Sequence, residues 1–474
     1  MRKAILCVFA LFALVWMAGS AYFLVAGRCA RLPDVERPAF GIDPEENAFT
    51  HLKWLSENIP ENKTRLFTDY QLRQAYLDGT TSRQELAEAA REAIAAESNT
   101  FACAERVVKC SRLVIPWDSD CPITTPMTRI ANLSKLKAVS EASDGDVAKG
   151  RQTLMNVVKM GLMAMDNESS SIELSQIVGY ECARSALDMA SNPLFVNGDE
   201  QWRRKLRQSY RDLVANDVER AKLAVKWTRD DLCFVEGSAK NRAYVLALML
   251  GGGQARIDFS PLFGGDFGIG GGNAFPGQKW EGVENRFLTV LLTAFPGYLD
   301  YAFQPSRCIE VQQTEMERFC RKINEPYDIK YAKSDFGAKK FSDNDFNPLR
   351  RNWLGENFAR ESSSFGTEYG FLFKRRFETT ARIVASACES YKVKHGEYPR
   401  KLDALVPEFL EETPRDPYDG EPLRYNGEKA YLWTPGKDLY FDGKVNFRKD
   451  GKPCTTLSTR RCAYFIANPE AQKR

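Results

Sequence analysis

Histidine is almost absent from this chain of 474 residues, in which only His51 and His395 occur. A Ser-His-Asp triad or a histidine-rich metal site needs more histidine than this, so both classes of site are close to excluded. An excess of charge of one sign is also lacking, because the formal net charge is only +3. Composition therefore gives no reason to expect nucleic acid as a partner.

Closely spaced cysteine pairs are lacking as well. The chain has 12 cysteines but no CxxC pair, so a zinc ribbon or a thioredoxin-type site has no support. The cysteines fit an oxidising compartment but are too dilute for a disulfide-dense scaffold. Two pairings are plausible from spacing and intervening turn residues, and their candidate cysteines are Cys110 with Cys121 and Cys454 with Cys462.

The glycine-rich stretch 251–287 lacks the order of residues that a phosphate-binding loop needs. A P-loop requires lysine directly after its second glycine, followed by Ser or Thr. Here Gln278 follows Gly277, and Trp280 comes after the lysine. We therefore expect no nucleotide and interpret the stretch as a long surface loop, with a ligand or partner loop as the alternative.

The N-terminus contains the longest uncharged apolar run. Arg2 and Lys3 precede apolar sequence that extends from Ala4 to about Val25. This run reaches the roughly 20 residues that a membrane span needs. We therefore favour an uncleaved signal anchor over a cleaved signal peptide. The prediction is a single-pass inner-membrane protein whose bulk is extracytoplasmic, in the periplasm.

Helical periodicity dominates the sequence that follows. Ser82 and Glu85 have the spacing of a capping box, and apolar residues step along one helix face from Leu154 to Met165. Cys182 and Cys388 fall on apolar helix faces, and we expect buried thiols there. The predicted domains are a signal anchor (1–27), a leading segment (28–66), a helical domain (67–325), a linker (326–366) and a C-terminal module (367–474).

The C-terminal module combines a long helix with short strands. An amphipathic helix is predicted over 369–394, and Gly396 fits its C-terminal cap. Strands are predicted over 423–425, 430–434 and 439–441. The turn-rich sequence PRDPYDGEPLRY connects the two parts. The predicted fold class is mainly α, with an N-terminal transmembrane helix, a helical domain and an α+β module whose long helix packs on a small antiparallel sheet.

The succession YKVKHGEYP, LDALVP, PRDPYDGEPLRY and LWTPGKD resembles the globular domain of the major pseudopilin of type II secretion systems, over about 368–445. The layout of the whole chain also resembles large anchored proteins of unassigned function from planctomycete-type bacteria. The resemblance implies a set of motif residues that shape the fold and do no chemistry. They are Tyr398, Pro399, Asp416, Pro417, Gly420 and Tyr425.

Two further expectations follow from the resemblance. Pseudopilins polymerise through an N-terminal helix that carries a glutamate, and the run AILCVFALFALVW has no acidic residue, so a filament subunit is not expected. The family's sheet-end loop can hold calcium, and the matching loop here offers Asp438 and Asp442 as candidate ligands. Calcium prefers six to eight oxygens, so we expect turn-forming aspartates and no cofactor, with calcium as the alternative.

The sequence thus predicts a non-enzymatic, membrane-anchored extracytoplasmic protein with a structural or protein-interaction role, linked to cell-envelope assembly or secretion. Its membrane contact is the N-terminal helix, and its expected partner is an envelope protein. One alternative is a carboxylate-dependent hydrolase of envelope glycan, which needs an acidic pair about 5–10 Å apart. The other is a ligand-binding receptor with an apolar pocket beside Trp280.

Overall fold

The computed structural model describes residues 2–26, 43–58, 82, 85, 88, 91, 94–115, 123–166, 172–223, 298–302, 304–333, 351–352, 365–437, 439, 441–445 and 462–466. Most of these residues are helical, and three short strands form one antiparallel sheet. The mainly α expectation with a small C-terminal sheet is therefore confirmed. The glycine-rich stretch 251–287, with Trp280, lies outside the described residues.

The helices are numbered in chain order. They are α1 (Arg2–Ala26), α2 (Ala48–Asn58), α3 (Ser98–Lys109), α4 (Thr124–Ser143), α5 (Val147–Met165), α6 (Ile172–Ala190), α7 (Pro193–Val196), α8 (Glu200–Ala215), α9 (Tyr298–Ala302), α10 (Pro305–Lys322), α11 (Ile329–Lys333) and α12 (Phe365–His395). A 3₁₀ helix covers Leu402–Leu405.

The chain divides into two compact units. Unit 1 comprises Met1–Glu36, Thr228–Phe319 and Lys333–Gly366. Unit 2 comprises Arg37–Trp227, Cys320–Ala332 and Thr367–Arg474. Unit 2 thus joins most of the predicted helical domain with the C-terminal module. The predicted domain boundaries themselves stay predictions.

In unit 1, α1 contacts α9 through aromatic side chains. The Phe23 ring is buried, and its centroid lies 5.1 Å from those of Tyr298 and Tyr301. Gln304 Nε2 donates a hydrogen bond of 3.0 Å to the carbonyl of Ala26, the last residue of α1. Within the described part of the chain, no helix combines the length and the apolarity that crossing a membrane requires. The predicted N-terminal transmembrane helix therefore has no support from the structure and stays a prediction.

Unit 2 has a continuous hydrophobic core to which helices α2 to α8 contribute. Helix α5 packs most extensively on α6, and α4 packs against both. The predicted stripe on α5 is confirmed, because Leu154, Val158 and Met165 are buried. The predicted capping box is confirmed too: Ser82 Oγ accepts from the Glu85 amide at 3.2 Å, and Glu85 Oε2 accepts from the Ser82 amide at 2.8 Å.

Polar side chains start two of these helices. Asp146 precedes α5 and accepts a hydrogen bond of 2.9 Å from the Lys149 amide. Asp199 precedes α8 and accepts one of 2.9 Å from the Trp202 amide. Each aspartate satisfies a backbone donor that has no partner within the helix, and its negative charge is favourable at the positive end of the helix dipole.

Two glycines let α5 and α6 touch backbone to backbone. A Cβ atom added to Gly161 would lie 2.4 Å from the Gly179 carbonyl oxygen, and one added to Gly179 would lie 2.5 Å from the Gly161 oxygen. A side chain cannot be accommodated at these distances. The closest approach of the two helices therefore requires glycine on both sides.

The long helix of the module is α12, and it confirms the prediction over 369–394. Gly396 has a φ of +84° and its amide donates a hydrogen bond of 2.7 Å to the Lys392 carbonyl, as a C-terminal cap does. The predicted apolar face is buried at Phe373, Phe377 and Cys388.

The sheet consists of β1 (Arg424–Asn426), β2 (Tyr431–Trp433) and β3 (Ala463–Phe465), in the order β1-β2-β3. Leu432 at the centre of β2 pairs with Tyr425 on one side and Tyr464 on the other. The predicted third strand at 439–441 is wrong, because Leu439 lies in a turn at a φ of +56°, which an extended strand excludes. The strand that completes the sheet comes from 463–465.

Candidate functional site

Asp416 is the centre of the PRDPYDGEPLRY turn, and it is fully buried. Its Oδ1 accepts hydrogen bonds from the Tyr418 amide at 2.9 Å and from Thr434 Oγ1 at 3.0 Å. Its Oδ2 lies 3.2 Å from a terminal guanidinium nitrogen of Arg424. Both carboxylate oxygens are therefore engaged by the fold, so a substrate would have to displace one of these partners.

Burial raises the pKa of Asp416, because the buried site disfavours the charged carboxylate. The hydrogen bonds from Tyr418 and Thr434 oppose this rise in pKa, while the neighbouring Asp419 carboxylate adds to it. Asp419 also pairs with Arg424, at 2.5 Å. Two carboxylates near each other with one raised pKa are part of the hydrolase pattern, but the engaged oxygens of Asp416 indicate a structural group.

The other motif residues of this turn hold the backbone around Asp416. Gly420 has a φ of +75°, and its amide donates a hydrogen bond of 2.8 Å to the Asp416 carbonyl. The Arg415 side chain donates a hydrogen bond of 2.9 Å to the Gly420 carbonyl. Pro417 directly follows Asp416 and begins the turn without an amide donor to satisfy. The structure thus brings these three motif residues together in one turn.

The remaining motif residues are Tyr398, Pro399 and Tyr425, of which Tyr398 contacts the C-terminal part of α12. Tyr398 donates its hydroxyl hydrogen to Glu389 Oε1, and the Lys392 ammonium lies 4.4 Å from the Tyr398 ring centroid. Burial raises the pKa of both Tyr398 and Tyr425 and of the neighbouring Cys388 thiol. A thiol with a raised pKa is a poor nucleophile. Pro399, next in the chain, is buried.

The candidate calcium ligands are only partly described. Asp442 accepts a hydrogen bond of 3.0 Å from the Lys444 amide, and its other oxygen lies 2.9 Å from the Lys444 ammonium. These hydrogen bonds lower the pKa of Asp442. Asp438 lies outside the described residues. Among those that the structure covers, no group of three or more His, Cys, Asp or Glu side chains could hold a metal ion.

The candidate disulfides also stay predictions. Cys110 is a free thiol in the structure. The suggested partners Cys121 and Cys454 lie outside the described residues, so neither pairing is tested. The Cys110 thiol donates to the Arg106 carbonyl at 3.3 Å. The predicted buried thiols are confirmed, because Cys182 and Cys388 are both free and buried.

Helices α2 to α8, which share the core of unit 2, form a helical bundle. A network of charged and polar groups joins α12 to this bundle. Arg382 of α12 donates two hydrogen bonds to Asp188 of α6, of 2.6 Å from Nε and 3.2 Å from a terminal nitrogen. Arg184 donates to the same carboxylate at 2.7 Å, and the Tyr210 hydroxyl of α8 donates at 2.9 Å. The Tyr464 ring of β3 lies 5.5 Å from the Arg382 guanidinium carbon. One carboxylate therefore links two bundle helices to the module.

Desolvation of Asp188 would raise its pKa, but Arg382, Arg184 and the Tyr210 hydroxyl outweigh it, and the pKa of Asp188 is lowered. The contribution of this carboxylate to stability is therefore present above the ordinary carboxyl pKa. It is lost as the pH falls through the lowered pKa of the folded state.

A second ion pair, also made of two hydrogen bonds, attaches α12 to the bundle nearer the start of the helix. Arg376 donates to Asp217, just after α8, at 2.6 Å from Nε and 3.0 Å from a terminal nitrogen. The Asp217 side chain is 14% exposed. Sequence reasoning missed both pairs, because their members lie 159 and 194 residues apart and no local pattern connects them.

The Arg382–Asp188 pair is expected to contribute a coupling energy of about 2 kcal/mol, since the pair is bidentate and partly buried. The measurement is a double-mutant cycle with Arg382→Ala, Asp188→Ala and the double variant in urea unfolding. The exposed Lys53–Glu57 pair on α2 is the control, expected to give about 0.5 kcal/mol or less. A coupling at Arg382–Asp188 no larger than this control would show that the pair does not fasten the module.

A small cavity of about 90 Å³ lies between α3, α4 and α5. Phe101, Ile130, Val157 and Met160 give it an apolar wall. It lies apart in sequence from the motif residues and from the predicted receptor loop. The sequence pattern gave no indication of it, because it forms where three helix faces meet.

No protein-family model, no curated protein and no solved structure matches this chain.

Proposed function

We propose that the protein is a membrane-anchored extracytoplasmic scaffold that holds a pseudopilin-like module in a fixed position for binding an envelope protein. The observation that carries the proposal is the double attachment of α12 to the bundle. Arg376 and Arg382 lie six positions apart on one helix, and each makes two hydrogen bonds to an aspartate of the bundle. Two such attachment points resist rotation of the module about either one.

Two further hydrogen bonds between the same elements support a fixed position. The buried Tyr180 hydroxyl of α6 lies 3.3 Å from Thr379 Oγ1 of α12. Arg207 of α8 donates to Ser390 Oγ at 3.0 Å. Each contact places a polar group of α12 against a polar group of the bundle, which sets the position along the helix more narrowly than apolar contact does. A rigid module suits a scaffold, because little ordering entropy is lost when a partner binds.

The anchoring part of the proposal rests on the uncharged apolar run and on the exposure of α1. Large apolar side chains of α1 that are at least 46% exposed are Leu11, Phe12, Leu14, Val15, Trp16, Met17, Tyr22, Leu24 and Val25. A lipid environment would bury this surface, which water does not favour. With this anchor, the rest of the chain would lie on the extracytoplasmic side of the inner membrane.

The partner-binding part of the proposal places the partner on the module. On α12, the faces toward the bundle and the sheet are occupied by contacts with Asp188, Asp217 and Tyr464. Phe371 and Val393 of α12 remain 44% and 60% exposed. Apolar side chains exposed on a fixed helix are suitable contact points for a protein partner.

The proposal is tested by photo-crosslinking in intact cells, with the cross-linking amino acid at Phe371 or at Val393. Trp54 on α2 is the control position, since it is also 44% exposed but lies outside the module. We expect adducts with an extracytoplasmic or inner-membrane protein from the two module positions and not from Trp54.

The identity of the captured protein separates the parts of the proposal. Secretion or pilus components would show that the module keeps the interaction surface of the family it resembles. Capture of other envelope proteins would support the scaffold proposal without a role in secretion. Capture of cytoplasmic proteins alone would overturn the extracytoplasmic placement, and equal adducts from Trp54 would overturn the role of the module.

A further inference from the structure

The cavity between α3, α4 and α5 has charged groups of both signs at its wall. Lys137 of α4 contributes an ammonium group, which lies 5.1 Å from the centroid of the Phe101 ring. Glu105 of α3 contributes a carboxylate. Glu105 follows Phe101 by four residues, which is one helical turn or about 6 Å along the helix axis. The positive and the negative group therefore lie on the same cavity about one turn apart.

Neither of these two charges has an ion-pair partner in the described part of the fold. Within the described part of the chain, neither Lys137 nor Glu105 forms an ion pair, with each other or with another residue. By contrast, Lys149 of α5 lies 3.5 Å from Glu141 of α4. A cation and an anion that share a cavity without meeting leave room for a molecule that contacts both.

A small hydroxyl lies at the same cavity. Ser134 of α4 lines it, and this residue is 6% exposed. A hydroxyl can donate or accept a hydrogen bond, so it offers a polar ligand a further contact. Asn156 of α5, whose Oδ1 already accepts from Gln152 at 2.9 Å, adds an amide donor to the cavity wall.

We propose that this cavity binds a small apolar amino acid as a zwitterion. Its carboxylate would pair with Lys137 and its ammonium group with Glu105, while its side chain would lie against Ile130, Val157 and Met160. The volume of about 90 Å³ is below that of pockets for drug-sized ligands. It suits a molecule with only a few heavy atoms, and the opposite charges at the wall select one that carries both signs.

The test is calorimetric titration of the full-length chain in mild detergent with three matched probes. L-valine carries both charges, isobutylamine lacks the carboxylate, and isovalerate lacks the ammonium group. We expect L-valine to bind at least about 10-fold more tightly than either analogue, because each analogue lacks one of the two charge-assisted contacts.

Two charge-neutralising variants assign the contacts. Lys137→Gln should reduce the affinity for L-valine by about 10-fold or more and leave isobutylamine unaffected. Glu105→Gln should reduce the affinity for L-valine similarly and leave isovalerate unaffected. Lys53→Gln, an exposed lysine on α2, is the control and should change nothing.

Each other outcome counts against the site. Absence of heat with L-valine would overturn the proposal, and so would equal affinity for all three probes. Loss of L-valine binding in Lys53→Gln as well as in Lys137→Gln would show a nonspecific charge effect. Circular dichroism of each variant confirms that a loss of binding is not a loss of fold.

Discussion

Asp416→Ala is expected to lower the free energy of unfolding of the module by about 3–5 kcal/mol, the range for breaking a buried charged pair. The change removes the acceptor of the Tyr418 amide and of the Thr434 hydroxyl, both of which remain buried. It also removes one of the two carboxylate partners of Arg424. Donors left without acceptors in a buried site cost more than the hydrogen bonds themselves contribute.

The measurement is urea unfolding combined with hydrogen–deuterium exchange of peptides from 414–434. The Tyr418 amide should lose its protection in Asp416→Ala. Asp416→Asn is the matched control, because asparagine keeps the shape and one oxygen acceptor. It should cost clearly less than the alanine variant. Equal losses for both variants would show that the charge, and not the acceptor geometry, holds the turn.

The pH dependence gives a second check on Asp416. Its pKa in the folded state is raised, so the folded chain binds this proton more readily than the unfolded chain does. Ionisation of Asp416 therefore costs stability as the pH rises from the ordinary carboxyl pKa through the raised one. The stability of the parent relative to Asp416→Asn should increase as the pH falls through this window. A decrease would mean that the Arg424 charge outweighs burial.

The parts of this fold that could be predicted from the sequence are those that local patterns determine. The apolar face of α12 and the cap at Gly396 depend on residues within a few turns of each other, and both are confirmed. The same holds for the capping box at Ser82 and Glu85. Asp416, Pro417 and Gly420, which the family resemblance implied as motif residues, lie within five residues of chain and form one turn.

The parts that could not be predicted depend on residues that are far apart in the chain. The sheet is completed by β3 at 463–465, whereas the nearer candidate at 439–441 has good strand composition but begins in a left-handed turn at Leu439. The Arg382–Asp188 pair and the cavity beside Lys137 likewise form only when separate helices pack. A single sequence carries no pattern that pairs positions across such distances.

The close crossing of α5 and α6 at Gly161 and Gly179 also forms only when two separate helices pack. Gly179→Ala is expected to destabilise unit 2 by about 3 kcal/mol, at the upper end of the usual cost of overpacking. The new methyl group would lie 2.5 Å from the Gly161 oxygen and 3.0 Å from the Ala164 Cβ. Neither atom is the end of a flexible chain, so α5 and α6 would have to separate and lose packing along their whole contact.

A control substitution in another helix is expected to leave the free energy of unfolding unchanged or to raise it. Gly370 also lies in a helix, α12, but an added Cβ there meets nothing within 4 Å. Because alanine favours a helix over glycine by about 1 kcal/mol, Gly370→Ala should be neutral or stabilising. Urea unfolding of both variants provides the comparison. A Gly179→Ala variant as stable as Gly370→Ala would mean that the two helices do not approach as closely as the structure shows.

The double variant Gly161→Ala/Gly179→Ala tests whether the two glycines serve one contact. Each methyl group would push the same two backbones apart, so the separation forced by the first already makes room for part of the second. The loss in the double variant should therefore be smaller than the sum of the two single losses, as expected for residues in direct contact. Simple additivity would place the two glycines in independent contacts and contradict a backbone-to-backbone crossing at this point.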